Sequence, residues 1–237
     1  DGTTTWTYTY DANGMRTSRS NGTFTYNYVY NGSQLIQMTE GNDTLFFTYT
    51  ASGAPATVTW NGVVYYYITN LQGDVCRIVN SSGATIATYT YDAWGNIGYV
   101  GGLMGSSLAM LNPLRYRGYV YDEETELYYV SSRYYDPEIG RWISPEPNVY
   151  NGEFDEGAGS IGYNVYAYCA NNPVNNIDPT GEFVISTAVL IGIGIGALIG
   201  GTAGGVYGYK KAVKNNVAKQ DCWKYVVGYG IGGAVVG

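Results

Sequence analysis

The side chains of this chain that could do chemistry are carboxylates, arginines, tyrosines and three separate cysteines. There is no histidine. Ser-His-Asp and Cys-His catalysis are therefore excluded within it, as is any histidine-ligated metal site. Cys76, Cys169 and Cys222 stand far apart without a CxxC pair. That spacing excludes a cysteine-rich zinc site and a dense disulfide framework. No cofactor and no metal is expected. Asp136-Pro137 and Asp178-Pro179-Thr180-Gly181 place acids in turn-forming sequences, where closing a strand is their plainest role. Asp155 is a spare carboxylate in the irregular acidic stretch 151–162. Arg115, Arg117, Arg133 and Arg141 lie among tyrosines, which suits cation–π and ion-pair contacts within a sheet. Tyrosine stripes suit packing of a β shell, and exposed ones suit carbohydrate.

The elements that must position these groups are read from a repeat. Five times in the first 95 residues a tyrosine-rich run ends in a turn with glycine, at Gly14, Gly32, Gly53, Gly73 and Gly95, 18 to 22 residues apart. A period of that size marks stacked units, none of which buries its own apolar face alone. Trp6, Tyr8 and Tyr10 alternate with threonines, and Phe24, Tyr26, Tyr28 and Tyr30 recur at period 2. Such alternation predicts strands. Asn21-Gly22, Asn31-Gly32 and Asn61-Gly62 predict tight hairpin turns, because both residues tolerate positive φ. Residues 1–100 are thus expected as antiparallel hairpins turning near Gly14, Gly22, Gly32, Gly53, Gly62, Gly73 and Gly95, with no helix of three turns. Residues 101–114 read as a loop or short helix, and 115–150 resume a strand pattern.

Composition agrees. There are 27 Tyr against 5 Phe, 34 Gly, and only 13% charged residues. Tyrosine favours strands and glycine punctuates turns. Residues 1–182 carry all seven arginines and 18 of the 19 acids, a net −11, whereas 183–237 carry all five lysines and Asp221, a net +4. An acidic body does not suit nucleic acid.

At Phe183 the composition changes. Residues 183–209 are 27 uncharged positions, long enough as a helix to cross a ~30 Å hydrocarbon core. Gly192, Gly196, Gly200, Gly204 and Gly208 recur every four residues. Such a ridge of small residues lets two helices approach closely. Two readings stand open: a membrane-active or translocation helix, or a helix sheltered in the lumen of a shell. Lys210, Lys211 and Lys214 come next, and then a second apolar run, 225–237. The opening DGTTTWTYTY lies mid-repeat, so the sequence reads as a piece of a longer protein.

The stretch RYRGYVYDEETELYYVSSRYYDPEIGRWISPEP, followed by YNVYAYCANNPVNNIDPTG, resembles the core segment that ends the repeats of bacterial Rhs (YD-repeat) proteins. The Tyr-Asp-x-x-Gly units of 1–95 are similar to the YD repeats themselves. The resemblance implies a mainly β fold in three parts: YD-repeat hairpins over 1–100, an Rhs repeat-associated core over 101–182, and a glycine-rich helical segment over 183–237. It implies a secreted or cell-surface bacterial toxin whose curved sheet encloses its own C-terminal cargo. The implied partners are that cargo, a target-cell membrane and an immunity protein, with carbohydrate as an adhesin's ligand. Some relatives cut themselves after the final DPxG with two aspartates and an arginine. Two carboxylates that share a proton can activate water. Asp178 matches the second aspartate and Arg141 the arginine. Glu146, in Ser144-Pro145-Glu146-Pro147, stands where the first aspartate would be. The cut would fall between Glu182 and Phe183, and Glu182 occupies a position where self-cutting relatives usually have leucine. An extra methylene displaces the carboxylate, and small displacements cost large factors in rate. Cleavage is therefore expected to be slow or absent.

Overall fold

The computed structural model describes residues 4–102, 108–131, 133–146, 163–182 and 184–186. The repeat region is one ten-stranded antiparallel sheet in which every strand pairs with its neighbours in sequence. The strands are β1 (Thr7–Tyr10), β2 (Arg16–Ser20), β3 (Thr25–Asn31), β4 (Gln34–Glu40) and β5 (Asp43–Tyr49). They continue as β6 (Pro55–Trp60), β7 (Val63–Thr69), β8 (Val75–Val79), β9 (Thr85–Tyr91) and β10 (Ile97–Gly101). Alternation of side chains puts Tyr28, Leu35, Met38, Leu45, Phe47, Val58, Val75 and Ile78 on one buried face.

All seven expected turn glycines have left-handed φ, from +59° to +96°. Gly41 and Gly83 turn in the same way, at +55° and +81°. The repeating turn has one geometry. At Asp11, Thr50, Asn70, Asn80 and Asp92 the backbone N–H bonds the carbonyl four residues on, and the glycine three residues on donates back. The first side chain completes it: Asp11 Oδ1 accepts from Asn13 and Met15, and Asp92 Oδ1 accepts from Trp94 and Asn96. A register shift sits beside most of these turns, as at Thr9/Tyr10, Thr48/Tyr49, Ile68/Thr69 and Ile78/Val79. Bulges of this kind let one strand turn without moving its inward residues to the outer face.

A short helix α1 (Leu108–Leu111) buries Leu108 and Ala109 against the sheet. A second sheet comes after it: β11 (Val120–Asp122), β12 (Leu127–Val130), β13 (Arg133–Asp136) and β14 (Arg141–Trp142). Last come β15 (Asn176–Ile177) and its antiparallel partner β16 (Ile185–Ser186). The helix expected from 183 therefore does not start there: Ile185, β-branched, sits extended opposite Ile177. The glycine ridge at 192–208, Phe183 and the stretch 151–162 lie outside the described residues. Among the described residues no helix is long and apolar enough to cross a membrane.

Candidate functional site

The core segment grips the repeats through hydroxyls. Three tyrosines donate to three successive carbonyls of the last repeat turn: Tyr116 to Ala93 at 2.8 Å, Tyr135 to Trp94 at 2.7 Å and Tyr128 to Gly95 at 2.7 Å. Their rings join Tyr119, Tyr168 and Trp142 in one buried aromatic cluster. Tyrosine suits this place because its ring replaces water while its hydroxyl satisfies a carbonyl. Burial pushes the Tyr119 and Tyr168 hydroxyls well above their ordinary value, so they stay neutral. Gly95 is required by contact as well as by its φ of +96°: a Cβ there would lie 2.7 Å from the Tyr116 ring.

The first repeats are held to the core by charge. Arg16 grips Asp122 through both terminal guanidinium nitrogens, and Arg19 bonds Asp122 and Glu124. Arg16 and Asp122 are fully buried, and the Arg16 guanidinium lies 4.5 Å from the Tyr129 ring centre. Burial works to lower the Arg16 guanidinium, but Asp122, Tyr28 and Tyr134 together hold it well above its ordinary value. A third link joins Arg117 to Asp74 at 3.1 Å and to the carbonyl of Pro173.

Where the chain leaves the core, Asp178 is buried. Its Oδ1 accepts from the N–H groups of Gly181 at 2.9 Å and Glu182 at 3.1 Å, closing the Asp-Pro-Thr-Gly turn. Tyr119 donates to the Asp178 carbonyl at 2.5 Å. The structure brings Glu146 and Asp178 to one group, Arg133 at the start of β13. A single Arg133 nitrogen, Nη2, lies 2.7 Å from Glu146 Oε2 and 3.3 Å from Asp178 Oδ2. Arg133 Nε donates to the carbonyl of Gly181. Its guanidinium stacks 4.2 Å from the Trp142 ring centre. Burial pushes the Arg133 guanidinium below its ordinary value, against the attraction of Glu146 and Asp178. The two acids are thus paired through one arginine.

Arg141 is not brought to these acids. Its Nη1 donates to Asn171 Oδ1 at 2.5 Å and to the carbonyl of Gly140. Asn171 ends a run of three left-handed residues, Cys169 (φ 50°), Ala170 (φ 53°) and Asn171 (φ 58°). Such a run is strained for residues with a Cβ, and Arg141 helps to pin it. By sequence Arg133 is one more structural arginine; its only mark there is its place in the Arg-Tyr-Tyr-Asp-Pro stretch. Phe183 lies outside the described residues.

Comparison with known proteins supplies context for this geometry. The family model described as Teneurin YD-shell matches residues 40–174. The tRNA3(Ser)-specific nuclease WapA of Bacillus spizizenii is 43% identical over 183 residues, 75% of this chain and 8% of that protein. The toxin protein Tse5 of Pseudomonas aeruginosa is 42% identical over 80 residues, 34% of this chain and 5% of Tse5. A solved Tc holotoxin pore of Photorhabdus luminescens superposes with a TM-score of 0.58 at 25% identity, covering 76% of this chain and 9% of that one. The chain thus spans less than a tenth of the length of these proteins.

Proposed function

This chain belongs to the YD-shell family, and we propose that it forms the wall and end plug of an Rhs-type polymorphic toxin that encloses and delivers its own C-terminal cargo. One observation carries this reading. The chain leaves the core through a turn locked by Asp178 and Arg133, and the short strand Ile185–Ser186 pairs back onto the core. That pairing holds the exit against the shell rather than on a free linker. The toxin relatives support the same reading, as does the abrupt change of composition at Phe183. The secreted or surface setting and an immunity partner belong to this proposal. Within it, residues 183–209 serve delivery: sheltered by the shell first, then engaging a target membrane through their uncharged length and glycine ridge. The test uses the whole protein. Protease should spare the residues after Ser186 in the intact shell and cut them once the wall is opened by denaturant. Equal cutting before and after opening refutes encapsulation.

Self-cleavage is a second chemistry at the same exit. Glu146 and Asp178 are within reach of one nitrogen, but the guanidinium between them makes an ion-paired lock rather than a proton-sharing pair. Cutting at the Glu182–Phe183 bond is therefore expected to be slow or absent, and Glu146→Asp should raise it. Efficient cutting of the natural chain, abolished by Asp178→Asn, would overturn this expectation.

A further inference from the structure

The ten-stranded sheet has two faces, and one of them is buried against the core. Alternation sends Val29, Phe46, Val64, Tyr66 and Ile68 out of the other, each between 40% and 49% exposed, while Tyr28, Phe47, Tyr65 and Tyr67 in the same strands are buried. Pairing makes the outward side chains contiguous. Val29 lies opposite Gln37, Gln37 opposite Phe46, Phe46 opposite Thr59 and Thr59 opposite Val64, one row across β3 to β7. The next row runs Thr48, Thr57, Tyr66 and Val79. Among the described residues, Arg77, opposite Ile68, is the one charged side chain that β1–β10 send outward. Arg16 and Arg19 point inward to Asp122, and Glu40 and Asp43 face each other on the inward parity of Met38 and Leu45. Sheets that face water usually carry charge, which blocks association with other sheets.

We propose that this outward face of β3–β8 is a self-association surface, on which a second copy of the chain packs face to face about a twofold axis. Two features select a second copy over other occupants. The first is charge. Residues 1–182 carry a net −11, so two copies repel through most of their surface, and on this nearly uncharged face they meet without like charges opposite each other. Rows of Thr, Val, Phe and Tyr are also self-complementary, because the side chains of two sheets interdigitate at a spacing of about 10 Å. The second is area. Six strands about 4.8 Å apart, each giving about five residues at about 3.3 Å, make an outline of about 24 Å by 17 Å. With the relief of the side chains, two copies bury about 1,000 Å² in all, the lower bound for a specific interface. Such an area makes a reversible dimer rather than a permanent one. The dimer does not depend on what the shell encloses.

Sedimentation of the whole protein tests this. The natural protein should pass from monomer to dimer between about 1 and about 100 µM. Salt from about 0.05 to about 0.5 M should not weaken the dimer, because no ion pair holds the face. Phe46→Glu together with Tyr66→Glu sets like charges across the twofold axis and should weaken the dimer about tenfold or more. Thr7→Glu together with Tyr99→Glu adds the same charge to the same face at its two edges, on β1 and β10, and should leave the dimer intact. Thermal melts of both pairs check that the fold is kept. A natural protein that is still monomeric at about 100 µM refutes the proposal. A dimer that survives Phe46→Glu with Tyr66→Glu, or that comes apart in salt, also refutes it, since another surface then holds the copies. If the natural protein stays monomeric and instead binds an insoluble neutral polysaccharide, with binding lost in Phe46→Glu with Tyr66→Glu, the face takes a polymer and self-association fails.

Discussion

Arg133→Met should loosen the exit of the chain more than any other single change near it. Methionine keeps an unbranched, buried stem and removes only the guanidinium. Four acceptors then lose a donor: Glu146 Oε2, Asp178 Oδ2 and the carbonyls of Gly181 and Val165. Stripping one partner from a buried ion pair costs about 3–5 kcal/mol. Two features pull the value to the lower end. Asp178 keeps its bonds from the N–H groups of Gly181 and Glu182. The Glu146 side chain is 23% exposed, and an accessible pair is worth only about 0–1 kcal/mol. The expected loss is about 3 kcal/mol, or roughly 6–12 °C in melting temperature for a chain of this size. Arg133→Lys should fall between, since an ammonium keeps the charge but lacks the planar fork that reaches four acceptors. Glu146→Gln should cost about 1 kcal/mol or less. Thermal unfolding by circular dichroism reads the total, and limited proteolysis around Gly181 reads the local loosening. If the methionine variant melts within about a degree of the natural chain, the arginine clasp does not hold the exit.

Three further outcomes are expected. Asp122→Asn leaves Arg16 buried with half its pairing lost and should destabilise by about 3–5 kcal/mol in chemical denaturation; a loss under about 1 kcal/mol would show that the network is dispensable. Gly95→Ala meets both the positive φ and the Tyr116 ring, so strain and overpacking together should cost about 2–4 kcal/mol, whereas Gly22→Ala, with open space around it, should cost only the strain of about 1–2 kcal/mol. Burial pushes the Cys169 thiol far above its ordinary value, so almost no thiolate exists at neutral pH. Iodoacetamide followed by peptide mapping should therefore label Cys169 only after unfolding, and rapid labelling of the native chain would contradict the buried placement.

Much of the fold was legible in the residues because its signals are local. Asn-Gly and Asp-x-x-Gly turns, with aromatic alternation between them, specify hairpins within a few residues of themselves. Gly83 obeys the same rule in Asn80-Ser81-Ser82-Gly83, yet it was hidden by a period of 18 to 22 residues that skips it. The change at Phe183 was equally plain from composition. The clasp at the exit was not. Arg133 and Arg141 are the same residue type among similar neighbours, and only tertiary contact sends one to Glu146 and Asp178 and the other to Asn171. The same holds for Arg16 and Asp122, 106 positions apart. Sequence alone determined a sheet of glycine-turned hairpins, since turn and strand preferences act over a few bonds. Which buried charges meet was decided by tertiary structure, because desolvation makes each pairing depend on groups brought together only by the folded sheets.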